Sequence, residues 1–158
     1  MSFDQTLLDL FEYNHVIRDQ LLTSAAKLSF EKFTKDLGLG FSSIRDQLVH
    51  MARAKAYWLD NVLNPQKIPR PDPKTFSNAS SLQKYWVEVE KRFQAFLKTF
   101  PTNNLDDKRS VTWGTETHEF SIRQILLHVA THEIHHRGQV VAQFRLLDHP
   151  ITSPVDLL

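Results

Sequence analysis

The sequence predicts an all-α protein, most simply a four-helix bundle with one long crossover connection. Only four glycines occur among 158 residues, and apolar residues in long stretches recur every three or four positions, as on one face of a helix. Residues 64–79 hold four prolines, which places the crossover there. At this length we expect a single domain, residues 1–158, large enough to bury a core.

Two helices are predicted before the proline-rich segment. The first begins near Phe3. Its apolar stripe consists of Leu7, Leu10, Phe11, Ile17, Leu21 and Leu22. The second runs from Ile44 to about Leu63, with Ser42 or Ser43 as its N-cap. An Asn-Pro pair follows directly and ends this helix, because proline cannot continue it.

Two further helices are predicted after the proline-rich segment. One begins at Ser80 or Ser81 and is ended by a proline. Its apolar positions are Leu82, Tyr85, Trp86, Val89, Phe93, Phe96, Leu97 and Phe100. The last helix runs from about Ser121 to Leu147. Residues 109–119, rich in Val, Thr and Trp around a glycine, also allow a short β-hairpin before that last helix.

The composition excludes several classes of protein. The formal net charge is +1 with basic and acidic residues interspersed, so the chain has no nucleic-acid-binding footprint. There is no cysteine, which excludes disulfides, thiolate metal sites and a cysteine nucleophile of the chain's own. The N-terminus is unlike a signal peptide and no apolar run reaches membrane-spanning length. We therefore expect a cytoplasmic protein without membrane partners.

Histidines cluster in the last predicted helix, where four of the chain's eight lie within residues 128–136. His132 and His136 are four positions apart, so a helix places both imidazoles on one face, within reach of one metal ion. With Glu133 they also satisfy H-E-x-x-H, a zinc-binding signature of metalloproteases. The chain offers no edge strand to hold a peptide, which argues against a peptidase. A metal site is predicted under either interpretation.

Two predicted helix starts resemble each other. Ser43–Ala52 and Ser121–Ala130 match without gaps at six of ten positions. Stepping four residues at a time from the shared histidine of each segment defines a ridge of side chains on each helix. The ridges are His50, Ala54 and Trp58 in the second helix and His128, His132 and His136 in the fourth. If the helices are pseudo-equivalent, both ridges face one centre, His50 is the third metal ligand, and Ala54 leaves room for a metal and a water. On a helical wheel His50 lies at the margin of the apolar stripe, which equally suits a surface histidine.

With these residues placed, the chain resembles the DinB/YfiT-like superfamily of bacterial four-helix-bundle proteins regarded as metalloenzymes. The resemblance covers nearly the whole chain. It is carried by Tyr13-Asn14, by SIRDQLVH at residues 43–50, by Trp58-Leu59 and by HEIHHRGQ at residues 132–139. It implies that His50, His132 and His136 hold a divalent metal ion. His128 is not one of the family's usual three ligands.

The resemblance also implies a range of functions. The superfamily includes bacillithiol S-transferases and mycothiol-dependent isomerases, in which the metal activates a low-molecular-weight thiol. We therefore expect a metal-dependent enzyme that activates a thiol or water for attack on a small electrophile, most concretely a thiol S-transferase. A non-catalytic metal-binding stress-related protein and a hydrolase of small esters or amides stay open. Zinc is the first expectation for the metal and nickel the second. Outer apolar residues of the helices are compatible with a homodimer.

Four more residues are candidates for the pocket or for supporting the ligands. His128 lines the pocket, orients a ligand or fills the core. Glu133 and Asp46 are candidate acceptors for the second N–H of a metal-bound imidazole, although a solvated position is the simpler expectation for both. Glu133 lies about 100° around the helix from His132, which also suits a general base. Asn14 interrupts the first apolar stripe. Its two candidate roles are a core asparagine hydrogen-bonded to backbone and a substrate ligand.

Overall fold

A computed structural model describes residues 5–152, so the predicted start of the first helix at Phe3 lies outside the described residues. The described chain is mostly helical, with one antiparallel β-hairpin. In chain order the elements are α1 (Gln5–Ala25), α2 (Phe30–Thr34), α3 (Ile44–Tyr57), a π-helical turn (Trp58–Leu63), a 3-10 turn (Pro73–Thr75), α4 (Ala79–Thr99), a second 3-10 turn (Thr102–Asn104), β1 (Lys108–Trp113), β2 (Glu116–Ser121) and α5 (Ile122–Leu146).

The helix starts depend on local capping. Ser43 is the N-cap of α3, where its Oγ accepts the backbone N–H of Asp46 at 3.1 Å. Ser121 caps α5 in the same way and forms a capping box with Gln124, whose Oε1 accepts the Ser121 N–H at 2.8 Å. The two echoed segments therefore begin α3 and α5 at equivalent serines. The N-cap of α4 is Asn78, two residues before the predicted Ser80.

Two local features depart from the sequence-based expectation. The short helix α2 was not predicted; it buries only Phe33, and five residues are too few to show a helical period. The predicted second helix does reach Leu63, but its last six residues form a π-helical turn in which five are buried. The wider turn brings more of the helix circumference against the core. The predicted hairpin is present, with Lys108 paired to Ser121 and Trp113 to Glu116.

The four long helices pack around a common interior. Helices α1 and α3 each contact both α4 and α5. The hairpin lies against the π-helical turn through β1 and against α5 through β2. None of the helices within residues 5–152 is both long and apolar enough to cross a membrane.

A buried layer of charged residues divides the apolar interior into two clusters. One cluster, around Phe93, contains residues from α1, α4, α5 and the π-helical turn. The second cluster surrounds Trp86. Each long helix passes from one cluster to the other, and at the crossing it contributes one buried charge. These four residues, called the charged layer below, are Arg18, Lys55, Glu90 and Glu133.

The charged layer is balanced, with two cations and two carboxylates in mutual contact. Lys55 Nζ donates to Glu90 Oε2 at 2.7 Å and to Glu133 Oε1 at 3.1 Å. Arg18 Nη1 donates to the same Glu90 oxygen at 3.1 Å and lies 3.6 Å from Glu133 Oε2. All four side chains are nearly inaccessible to solvent, so each charge depends on the others for compensation.

Acid is expected to weaken the fold through Glu90. Burial by itself would raise the pKa of this carboxyl, but the Lys55 and Arg18 charges and hydrogen bonds from Lys55 and Gln94 lower it to about 2. A depressed folded-state pKa stabilises the fold above the ordinary glutamate value, and that contribution disappears as the pH falls from about 5 toward 2. We expect a loss of up to about 3 kcal/mol over this range.

Urea unfolding between pH 7 and 2.5 measures this loss. The matched control is Glu90→Gln, which is less stable at pH 7 and should show a shallower fall below pH 5. Parallel pH profiles for the two proteins would show that Glu90 is not responsible.

Candidate metal centre

Three imidazoles from two helices converge on one point. Nε2 of His50 on α3 lies 3.1 Å from Nε2 of His132 and 3.1 Å from Nε2 of His136, both on α5. The two α5 nitrogens are also 3.1 Å apart, so the three atoms form an equilateral triangle. No other group of three potential metal ligands was found among residues 5–152.

Hydrogen bonding alone does not satisfy this triangle. In a neutral imidazole each ring nitrogen carries either a hydrogen or a lone pair. Among three such nitrogens at least one pair must therefore be alike, two donors or two acceptors, at a distance where they repel. A cation bound by all three lone pairs removes the conflict. The arrangement therefore points to a metal ion rather than to a hydrogen-bonded cluster.

The spacing of the three nitrogens fits a first-row divalent ion. With metal–nitrogen bonds of about 2.05 Å, nitrogens 3.1 Å apart subtend about 100° at the metal, between the octahedral and tetrahedral angles. Three neutral imidazoles leave the ion's charge uncompensated and at least one coordination position open, which is the pattern of catalytic rather than closed structural sites.

The three candidate ligands are neutral near pH 7. Burial, with the neighbouring His136 and the Arg53 charge, lowers the pKa of His50 to about 4. Burial and the adjacent histidines lower the pKa of His132 to about 3, and burial also lowers the pKa of His136. The imidazoles therefore do not have to lose protons before they coordinate a cation.

Two glutamine side chains approach Nδ1 of His136, which can hydrogen-bond only one of them at a time. In the tautomer that carries the hydrogen on Nδ1, Gln139 Oε1 accepts that hydrogen at 2.6 Å and the Nε2 lone pair is left for a metal. Gln47 Nε2 lies 2.7 Å from Nδ1 and donates to it only in the opposite tautomer, while Gln47 Oε1 accepts the backbone N–H of Phe41 at 3.0 Å. The Phe41 ring stacks on the His50 imidazole with centroids 3.8 Å apart. The loop before α3 is thus fixed to two of the three candidate ligands.

A cavity of about 580 Å³ opens beside the triangle, with His50 and His132 in its wall. Most of the wall is aromatic or basic. The lining residues are Phe41, Asp46, His50, Arg53, Ala54, Tyr57, Trp58, Arg70, Pro73, Trp113, His128 and His132. The site therefore combines three converging nitrogens with space for a small molecule.

The sequence profile of the DinB family matches residues 1–153 of the chain. The chain belongs to the DinB family. It is also similar to an uncharacterized protein, YizA, of Bacillus subtilis (strain 168), with 28% identity over 140 residues that cover 85% of this chain and 83% of YizA. In this DinB-family protein the three converging histidines are the same three that the resemblance implied.

The two echoed ridges of this DinB-family chain face each other across the cavity. The cavity is lined by Ala54 of α3, Trp58 of the π-helical turn and His128 of α5. The Trp58 and His128 rings lie 5.3 Å apart, and His128 lies 5.4 Å from His132. The shared centre expected from the echo is therefore present. Ala54 leaves the space beside His50 and His132 open.

Two predicted supporting residues lie away from that cavity. Glu133 belongs to the charged layer, where it accepts a hydrogen bond from Lys55. Successive residues of α5 point about 100° apart, so Glu133 faces the interior between the helices while His132 faces the cavity. That position excludes the metalloprotease role of a base beside the metal. Asn14 is buried and donates from Nδ2 to the backbone oxygen of Ala130 at 2.8 Å. Asp46 lines the cavity but accepts from Ser43 and Arg45 rather than from a ligand histidine.

Sequence reasoning did not predict that Gln47, Phe41 or Gln139 contacts a histidine of the triangle. Gln139 lies three residues after His136 and so shares its helix face, a signal that was available. The roles of Gln47 and Phe41 depend on how the loop before α3 folds back, which no periodicity reveals. Lys55, the buried partner of Glu133, was likewise not predicted.

Gly40→Ala is expected to disturb the centre. Gly40 has φ of +60°, and a Cβ there would overlap Oε1 of Gln47, which is fully buried and bonded to Phe41. We expect a loss of about 1–2 kcal/mol from backbone strain and about tenfold weaker metal binding, because the Cβ would displace Gln47 and also press on Gln139 beside His136. Chelator competition measures the metal affinity, and urea unfolding measures the stability.

Gly38→Ala is the matched control. Gly38 has φ of +64° but open space around its Cβ, so it carries the same strain without the overlap. Equal metal affinities in the two variants would contradict a supporting role for the two glutamines beside His136.

Proposed function

We propose that this DinB-family protein is a metal-dependent enzyme that activates a low-molecular-weight thiol for attack on a small electrophile. The proposal rests on one observation: three histidine nitrogens, mutually 3.1 Å apart, converge beside a cavity of about 580 Å³. We also propose zinc as the physiological ion and nickel as the alternative, since both suit imidazole ligands.

The residues of the centre have separate roles. His50, His132 and His136 would hold the ion, and Gln139 keeps His136 in the tautomer that presents Nε2. A divalent ion in such a site supplies Lewis acidity that lowers the pKa of a thiol or a water. Phe41, stacked on His50, covers one side of the centre and limits the access of solvent.

A thiol cosubstrate is supported by what the chain lacks and by what the cavity offers. No cysteine is present, so a nucleophilic sulfur has to arrive on a second molecule. Trp58, Tyr57 and Trp113 in the cavity wall provide apolar surface for an electrophile beside it. The cavity next to the triangle favours a catalytic role over the storage of a fully enclosed metal.

Thiol transfer is tested with zinc-loaded protein, bacillithiol, glutathione or cysteine, and monochlorobimane or an epoxide as acceptor. We expect thiol-dependent product formation that His50→Ala abolishes. Product that forms equally fast without thiol would identify a hydrolase, and equal rates for the two proteins across the panel would overturn the catalytic proposal. Zinc content measured in parallel separates lost metal from lost chemistry.

We further propose that the four long helices form one four-helix-bundle domain over residues 1–158, that the protein is cytoplasmic, and that it forms a homodimer. Val87 on α4 and Leu127 and Leu146 on α5 are exposed apolar residues that support such an interface. Light scattering of the wild type and of Leu127→Glu tests the dimer, which the substitution should weaken if α5 contributes to it.

A further inference from the structure

Two arginines in the cavity wall have no anionic partner. Arg53 on α3 and Arg70 in the connection before α4 both line the cavity beside His50 and His132. Neither forms an ion pair within residues 5–152, whereas Arg45 and Arg92 are each paired with an aspartate. Two positive charges therefore face the same space without a carboxylate partner among the described residues.

The neighbouring carboxylates are already engaged. Asp46 also lines the cavity, but it accepts from Ser43 Oγ at 2.8 Å and from Arg45 Nε at 2.9 Å. Asp60 accepts two hydrogen bonds from Arg92, at 2.8 and 3.2 Å. Since these acids have partners of their own, residues 5–152 supply no anion to Arg53 and Arg70, and a ligand can supply one.

Both arginines occupy defined places around the cavity. Arg53 lies three residues after His50 and so shares its face of α3. The Arg70 guanidinium lies 5.0 Å from the centre of the Tyr57 ring, a cation–π contact that holds a long side chain over the cavity wall. Their charges act on a common neighbour, because both lower the pKa of the Tyr85 phenol, which burial raises.

We propose that Arg53 and Arg70 form a carboxylate-binding subsite of this cavity. The ligand is a small molecule with an anionic carboxylate at the arginines and an apolar, preferably aromatic, body against Tyr57, Trp58 and Trp113. Guanidinium groups bind carboxylates through paired charge-assisted hydrogen bonds, and the aromatic wall excludes water from the rest of the ligand. The inference rests on the proposed function only in taking the reacting end of the ligand to lie at the three histidines.

The subsite is tested by NMR titration of metal-free protein with phenylacetate and with its uncharged analogue phenylacetamide. Because no metal is present, the carboxylate can be bound only by groups of the protein itself. We expect phenylacetate to bind about tenfold more tightly. Both ligands should shift the indole N–H signals of Trp58 and Trp113, which line the cavity, and leave Trp86 in the core unchanged.

The variant Arg53→Gln/Arg70→Gln should reduce the preference for phenylacetate to less than about twofold. Arg123→Gln, which removes an exposed arginine paired with Asp106 outside the cavity, should retain the full preference. An unchanged preference in the double variant, or shifts absent from Trp58 and Trp113, would overturn the proposal. The double variant should bind zinc as the wild type does, so a failed thiol-transfer assay leaves this result intact.

The same titrations with mercaptoacetate and mercaptoacetamide identify the molecule that carries the carboxylate. An arginine-dependent preference in both pairs shows that the subsite also accepts a carboxylate carried by the thiol. An arginine-dependent preference confined to the phenyl pair assigns the carboxylate to the electrophile. The absence of arginine dependence in both pairs contradicts the subsite.

Discussion

His50→Ala is expected to lower the affinity for zinc by at least about 100-fold. The substitution leaves two imidazoles of the three that converge at 3.1 Å, and the remaining pair lies on one helix. Loss of an outer-shell partner of a metal ligand already costs about 10- to 100-fold, so loss of a ligand costs at least as much. Competition with a chromophoric chelator measures the affinity, and circular dichroism verifies that the half-buried position tolerates alanine.

Two other histidines are matched controls for this prediction. His128 lies in the cavity wall 5.4 Å from His132, ring centre to ring centre, yet outside the triangle. His118 lies on the hairpin beside Glu116. His128→Ala and His118→Ala should both retain zinc within a few-fold of the wild type. If His128→Ala loses as much affinity as His50→Ala, the assignment of the three ligands is wrong.

Lys55→Ala is expected to destabilise the metal-free protein by about 3–5 kcal/mol. The ammonium is buried between Glu90 and Glu133, at 2.7 and 3.1 Å, and its removal leaves two buried carboxylates with Arg18 as their one remaining cation. A loss of this size is a large part of the stability of an ordinary domain. Urea unfolding without metal is the appropriate measurement, because a bound ion would stabilise the folded state separately.

Two comparisons separate charge compensation from packing. Asp106→Ala removes an exposed ion pair with Arg123 and should cost less than about 1 kcal/mol. In the background of Glu90→Gln and Glu133→Gln, Lys55→Met should cost much less than Lys55→Ala costs in the wild type, because no unpaired carboxylate remains. If Lys55→Ala is no more costly than Asp106→Ala, the charged layer does not contribute as described.

Much of the candidate centre could be inferred from the sequence because its parts are local. The four-residue spacing of His132 and His136 puts both rings on one face of α5 wherever that helix packs. The echo between Ser43–Ala52 and Ser121–Ala130 then placed His50 opposite them, at a sequence distance of 82 residues from His132. This inference succeeded because two helices with equivalent N-caps present equivalent positions to a shared interior.

The sequence also allowed a wrong role for Glu133. The letters H-E-x-x-H are compatible with a base beside a metal, and only the packing of α5 turns that carboxylate toward Lys55 and Arg18. The same limit applies to Gln47 and Phe41. Their contacts with His136 and His50 arise from the fold of a loop with positive φ at Gly38, Gly40 and Ser42.

Residue patterns alone were enough to infer the family, the four long helices with the capping serines of α3 and α5, and the histidines that can share a metal ion. The helices, their caps and the pair His132 and His136 depend on neighbours within one or two helical turns, and His50 was added by the echo between two helix starts. Three further features became visible once the helices were packed: one charge from each long helix lies at a common level, the nitrogens approach to 3.1 Å, and two arginines face the cavity without an ion pair among residues 5–152. These are relations between distant segments, fixed by how the helices pack, and no local pattern encodes them.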